Sequence, residues 1–390
     1  MRARRAALVF ALASLALAAA SPACAQSIAA MAADLQALQA KIAAGDKAAY
    51  AAQPEKLVAI AAAIAAAKPE TWRSKRETDA VAIYLFSGGG AREAVQLLQT
   101  GAVPPSETTL MRGAIAYVVG NESDAASLLG GLDPRKLGLA VAGPIAYAQA
   151  VLATAKEPAK AITLLDYARL LTPGGLVEEA SLRREILLAA ESRDVDRVAS
   201  LGRQYATRFG HSIYADGFIP GAAAAIVDGA LVDDVAKFQK FHIFIASLAP
   251  EVRRAFLLTI ARAETLAGKP AVAAAAAADA LNGAQPDSPD EARAKLYEGA
   301  ARILTPDYDA GLAELQAIAP AKLDRRDQPL LEAARAVAAY LRAPPAADAA
   351  PATGAAPDQG DDEAAKTIAL AEAALDRTAP MAGVVGKGNP

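Results

Sequence analysis

Ala161-Ile162-Thr163-Leu164-Leu165-Asp166-Tyr167-Ala168-Arg169-Leu170-Leu171-Thr172-Pro173 is the stretch on which the fold turns. Its apolar residues recur every three or four positions, the period of one helix face. Small Ala161 and Ala168 flank large Leu165 on that face, and Pro173 ends the helix. A small residue lets the two helices of a hairpin approach, and a large one fills the groove left by the next hairpin. These are the spacings of the second helix of a tetratricopeptide (TPR) repeat. The first-helix positions before it match poorly, so the unit reads as TPR-like.

The same rhythm extends along the chain. Turn signals stand at Gly88-Gly89-Gly90, Gly120-Asn121, Lys156-Glu157-Pro158, Ser192-Arg193-Asp194, Asp228-Gly229, Gly268-Lys269-Pro270 and Thr305-Pro306, successive breaks lying 32 to 39 residues apart. Each interval has room for two helices, the signature of a helix-hairpin solenoid. No stretch alternates with period two. The reading is therefore an all-α, TPR-like, right-handed solenoid over residues 26–342; the alternative is an irregular bundle with evenly spaced connections.

Composition agrees with close helix packing. Of the 390 residues 54% are hydrophobic but only 5% aromatic, and alanine, a strong helix former that buries little area, carries much of the difference. Two histidines and one cysteine make a structural zinc site a poor prospect. A net charge of -3 and a pI near 5.7 give no general attraction to nucleic acid or acidic lipid.

The ends read differently. Arg2, Arg4 and Arg5 precede an apolar run from Ala6 to Ala20, and Ala23-Cys24-Ala25 supplies the small-x-small pattern cut by signal peptidase. Residues 1–25 are expected to be a signal peptide cleaved between Ala25 and Gln26, which places the mature chain in the periplasm. Cleavage removes three arginines and no acid, moving the formal charge from -3 to -6, and removes the only cysteine. An uncleaved anchor is the alternative, although the run falls short of the ~20 residues needed to span. Lipidation at Cys24 is the weaker one, because no aliphatic residue stands three positions before it. At the other end, 343–361 is mainly Ala, Pro, Gly and Asp and is expected to be disordered. Residues 362–377 are expected to hold one short helix and 378–390 to form a disordered tail.

Catalytic signatures are missing: there is no phosphate-binding glycine loop, H-E-x-x-H, G-x-S-x-G or C-x-x-C. His211 follows a helix end at Arg208-Phe209-Gly210 and reads as a carbonyl cap, and His242 sits in an aromatic run that reads as packing. Glu178-Glu179, Asp233-Asp234 and Asp361-Asp362 are adjacent pairs whose side chains point about 100° apart on a helix, so they do not converge on a substrate. Glu178-Glu179 reads instead as acid at a helix start, complementing the dipole. Glu191-Ser192 matches the catalytic pair of soluble lytic transglycosylases but lacks the lysozyme-like segments around it. Arg73, Lys75 and Arg76 beside Trp72 read as either a small anion or partner site or a solvated helix start. The chain is read as non-enzymatic and without a cofactor, a metal or a small-molecule substrate.

The stretch from Ala161 to Arg184, which continues from Pro173 through Gly174-Gly175-Leu176-Val177-Glu178-Glu179-Ala180, resembles the MotC family of periplasmic motility proteins of alphaproteobacteria. Asp79-Ala80-Val81-Ala82-Ile83-Tyr84-Leu85-Phe86-Ser87-Gly88-Gly89, Tyr205-Ala206-Thr207-Arg208-Phe209 and Ser212-Ile213-Tyr214-Ala215 are similar to further segments of that family. The resemblance runs over about Thr71 to Arg262 and implies a soluble helper of the flagellar motor. It further implies that the chain binds the periplasmic part of the stator protein MotB and stabilises or positions it. A general cell-envelope adaptor unrelated to motility is the alternative. Exposed aromatics and arginines are the expected anchors of a solenoid partner: Tyr167, Arg169, Arg183, Arg184 and Tyr205. Each has a local alternative, the tyrosines filling grooves between hairpins and the arginines pairing with Glu178, Glu179 and Glu185.

Overall fold

The computed structural model describes residues 26–342. The signal peptide expected over 1–25 with its Ala25/Gln26 cut, and the features expected over 343–361, 362–377 and 378–390, lie outside the described residues. Those up to Arg335 form one compact unit, and 336–342, the end of the last helix, belong to a second.

Among the described residues there are helices and no strands. In chain order they are α1 (Ile28–Ala43), α2 (Lys47–Ala66), α3 (Lys75–Phe86), α4 (Arg92–Gln99), α5 (Pro105–Val118), α6 (Glu122–Gly130), α7 (Leu139–Ala153), α8 (Pro158–Leu171) and α9 (Leu176–Glu191). Then follow α10 (Val195–Phe209), α11 (Ala215–Asp228), α12 (Val235–Lys240), α13 (His242–Ala246), α14 (Pro250–Leu266), α15 (Pro270–Leu281), α16 (Pro289–Arg302), α17 (Tyr308–Ala317) and α18 (Gln328–Arg342). All seven breaks read from the sequence fall between helices. The starts have local causes. Ser27, Asp46, Asn121, Asp194, Asp234 and Ser288 each accept a first-turn amide with a side-chain oxygen, and proline opens α5, α8, α14, α15 and α16.

Packing is mainly between chain neighbours. Helices α3, α7, α9, α11, α14 and α16 form a row in which each touches the next, while α8, α10, α15 and α17 pack as partners of row members. Small residues set the spacing. On α8, Ala161, Leu165 and Ala168 are fully buried. On α16 and α17, a Cβ on Gly311 would stand 2.9 Å from the Gly299 carbonyl oxygen, so this hairpin closes backbone to backbone.

One side-chain contact joins helices especially far apart in sequence. Pro144 stands inside α7 and has no amide to give the carbonyl of Ala140. Gln36 of α1 fills the vacancy, its Nε2 donating to that carbonyl at 2.9 Å across 104 residues of chain. Gly45, after α1, has φ +96°, and a Cβ there would lie 2.3 Å from the backbone oxygen of His211. Gly45→Ala is expected to cost more than the ~1–2 kcal/mol of the left-handed backbone alone, because a carbonyl on a packed turn cannot swing aside. Gly101→Ala is the control, since Gly101 has φ +68° and open space around it. Urea midpoints of the two variants check this; equal losses would mean that the α1–α2 turn does not rest on His211.

His211 differs from the sequence reading, whereas Arg73, Lys75 and Arg76 beside Trp72 are exposed at the start of α3, as the solvated-helix-start alternative has it. The His211 imidazole is exposed and forms no hydrogen bond among the described residues, and the Phe209 carbonyl accepts from the Ser212 amide at 2.9 Å. Trp72 is core, and of its basic neighbours Lys75 is held by Asp79 and Glu107 at 2.7 and 3.0 Å. Around His242, Phe238, Phe241 and Phe244 are buried, while His242 itself is exposed.

Candidate partner-binding groove

Two cavities join along the row of helices. The first, about 520 Å³, lies among α1, α2, the end of α3, and the facing sides of α7 and α9. The second, about 300 Å³, continues along α7 and α9 to Phe218 of α11, and Tyr147 and Ala180 line both. On α7 the wall is Leu139, Ala140, Pro144 and Tyr147, and on α9 it is Val177, Ala180, Arg184 and Leu187. Those spacings of three and four keep each wall on one helix face.

Beneath the groove, α9 carries buried acids. Glu178, Glu179 and Glu185 are 3%, 0% and 0% exposed. The sequence reading places Glu178 and Glu179 at a helix start, and they do lie in the first turn of α9, where both are buried. Glu178 accepts the Gly174 amide at 2.6 Å and pairs with Arg208 of α10 at 2.8 Å. Glu179 accepts the Tyr205 hydroxyl at 3.2 Å and lies 3.9 Å from Arg183. Burial pushes the Glu179 carboxyl above its usual range, and Ser212, Arg183 and Tyr205 only partly offset it. Glu185 lies between Arg169 of α8, at 2.7 Å, and Arg197 of α10, at 2.5 Å.

The five residues singled out from the sequence fall into three places. Tyr205 is fully buried, with its hydroxyl on Glu179 and its ring 4.7 Å from that of Phe218; burial and the Glu179 charge push that hydroxyl up. Arg169 points into the α8–α9–α10 interface, bound to Asp166, Glu185 and Gln204. These two have internal partners, the local alternative considered for each. Tyr167 borders a different cavity, about 710 Å³, between the α6–α7 connection and α8. Arg183 and Arg184 alone among the five line the groove.

Aromatic rings surround those two arginines. The Arg183 guanidinium lies 5.0 Å from the ring centre of Tyr214, a cation–π distance. Arg184 acts electrostatically on Tyr117, whose hydroxyl is pushed up to about 12 chiefly by burial, with Tyr147 adding to the rise and Arg184 opposing it. The sequence reading did not find Tyr117, Tyr147, Tyr214 or Gln53, since nothing local marks helices 100 residues apart as sharing one groove.

A second buried acid lies away from the groove. Glu264 of α14 is 2% exposed, its Oε2 has no hydrogen-bond partner, and Lys269 is 3.9 Å away. Burial raises its carboxyl above the usual range. The folded chain therefore takes up a proton where the unfolded chain does not, and this site's contribution to stability falls as pH rises through the raised value. Glu264→Gln is expected to raise the urea midpoint at neutral pH and to leave it nearly unchanged at about pH 3, well below the ordinary glutamate range, where the carboxyl is protonated in both states. A midpoint lowered at neutral pH would show that Lys269 compensates the charge.

Walls of this kind, with apolar helix faces, aromatic rings and a few charged groups, suit recognition of another chain. An all-helical protein of successive neighbour-packed helices with such a groove is a protein-interaction architecture. The chain belongs to the MotC family: the family model described as "Chemotaxis protein MotC" matches residues 1–388. A relative, the chemotaxis protein MotC of Rhizobium meliloti (strain 1021), is 29% identical over 315 residues, covering 80% of this chain and 71% of that one. No solved structure matches. The chain is thus a motility-associated protein, and no described helix is long and apolar enough to cross a membrane.

Proposed function

We propose that this chain is a non-catalytic periplasmic protein required for flagellar rotation. Residues 1–25 direct it to the periplasm and are removed, residues 26–342 act as a TPR-like, right-handed solenoid, and its partner is the periplasmic part of the stator protein MotB. By holding that part folded or in place, the chain lets the ion-driven stator deliver torque.

The observation that carries the reading is the groove between α7 and α9, walled on one side by α1 and α2. Its lining comes from helices far apart in sequence and is fixed in register by the buried ion pairs of α9 with α8 and α10. A surface held this rigidly costs little ordering entropy when a partner segment docks. Membership of a motility family supplies the biological setting.

The test is the swimming of a strain lacking the gene, with filaments counted by electron microscopy in the same cells. Full-length filaments on paralysed cells are expected. Normal swimming would remove the motor assignment.

A further inference from the structure

We infer that the groove takes an acidic segment of the partner chain, in extended form, with its carboxylates on Arg183 and Arg184; this rests on the reading of the chain as a partner-binding protein. Three observations carry it. The first is charge. Among the described residues lining the two joined cavities, the charged ones are Arg183, Arg184 and Glu191. Most other arginines of this region are already committed: Arg169, Arg197 and Arg208 each have a carboxylate within 3.0 Å. Among the described residues the Arg184 side chain has no ion pair or hydrogen bond, and the Arg183 carboxylate contact, Glu179, is 3.9 Å away, too long for a hydrogen bond. Arg184 thus faces the groove without an internal counter-charge, and Arg183 has one only at 3.9 Å.

The second observation is unfilled hydrogen-bonding capacity in the groove walls. The Nε of Arg183 is buried and has no acceptor, and Oε1 of Gln53, on the α2 wall, is buried and has no donor. A buried donor and acceptor left unmade cost about 1–3 kcal/mol each. Both atoms are covered in the free chain, so a segment meets them as the Arg183 and Gln53 side chains turn into the groove, its carboxylate taking the guanidinium and a backbone amide taking Gln53. Gln53 is itself oriented by its Nε2, which donates to the Ser87 carbonyl at 3.3 Å.

The third is length. The α7 wall runs from Leu139 to Thr154, about 22 Å at 1.5 Å per residue. That accommodates about seven residues of extended chain at ~3.3 Å each. The wall between the charged end and Gln53 is aromatic and aliphatic, with Tyr147, Tyr214 and Phe86 among its members. The fitting occupant is therefore an acidic segment interrupted by apolar residues rather than a run of acids alone.

The experiment is a binding isotherm with the full mature chain, using the purified periplasmic fragment of the stator protein and, separately, a fluorescein-labelled heptapeptide Ala-Leu-Glu-Ala-Glu-Leu-Ala. The double variant Arg183→Ala/Arg184→Ala is expected to weaken both by tenfold or more, and the heptapeptide with glutamine for its glutamates is expected to bind the parent chain at least tenfold more weakly. Because Arg183 also stacks on Tyr214, Arg184→Glu alone is included as a variant that leaves that stacking untouched, and its thermal midpoint should match the parent. Tight fragment binding unchanged in Arg184→Glu would overturn the inference and leave the functional reading standing. Arginine-dependent heptapeptide binding with no fragment binding would do the reverse. If only peptidoglycan fragments bound, with neither the heptapeptide nor the stator fragment, both would fall.

Discussion

Glu185→Ala is expected to remove about 3–5 kcal/mol of folding stability, the usual cost of deleting one partner from a buried ion pair. Glu185 is fully buried in α9 and accepts from Arg169 Nη1 at 2.7 Å and from Arg197 Nε and Nη2 at 3.0 and 2.5 Å. Asp166 touches the same two arginines at 3.0 and 2.8 Å, but its side chain is 45% exposed. Without Glu185, Arg169, whose side chain is only 15% exposed, must keep its charge beside Arg197 with half its counter-charge. The cluster joins α8, α9 and α10, so the loss should be cooperative and visible as a lower urea midpoint. Asp166→Ala is the comparison and should cost no more than about 1 kcal/mol, because exposed pairs contribute little. Equal small losses would mean that water reaches Glu185.

Asp327→Ala is expected to be of similar size, for the same reason at a different joint. Asp327, just before α18, is fully buried. It accepts from Arg262 of α14 at 3.0 Å, from Arg293 of α16 at 3.1 Å and from the Tyr297 hydroxyl at 2.6 Å. The hydroxyl is pushed up by burial and by the Asp327 charge, so it stays a donor throughout the stable pH range. Three donors lose one acceptor in the variant, and a loss of about 3–5 kcal/mol follows. Hydrogen exchange localises it: amides of 328–335 should exchange faster in Asp327→Ala, whereas those of α8 to α10 should not change. Uniformly faster exchange would show that the joint does not act locally.

Much of the helical order was legible because its causes are local. A glycine after a helix and a proline before the next are punctuation that the backbone must obey, and Gly88, Gly120, Gly229 and Gly268 all fall in turns. The small–large–small pattern of Ala161, Leu165 and Ala168 likewise predicted a buried face on α8. What the sequence could not show is the return of α1 onto α7. Pro144 reads as a helix blemish until Gln36 is seen on the Ala140 carbonyl. Glu178 and Glu179 were legible as helix-start acids and illegible as buried ones, because burial depends on Arg208 and Tyr205 arriving from α10. The groove was half legible. Arg183 and Arg184 could be singled out by residue type, but Tyr147, Tyr214 and Gln53 join them only through tertiary packing.

The measurement closest to the central claim is hydrogen exchange of the mature chain with and without the stator protein's periplasmic fragment. Slowed exchange confined to α7, α9 and the α1–α2 wall is the expected result, because a segment lying between those helices suppresses their local opening. Slowing confined to the surface around Tyr167, or no slowing at saturating fragment, would contradict the assignment of the groove as the binding face.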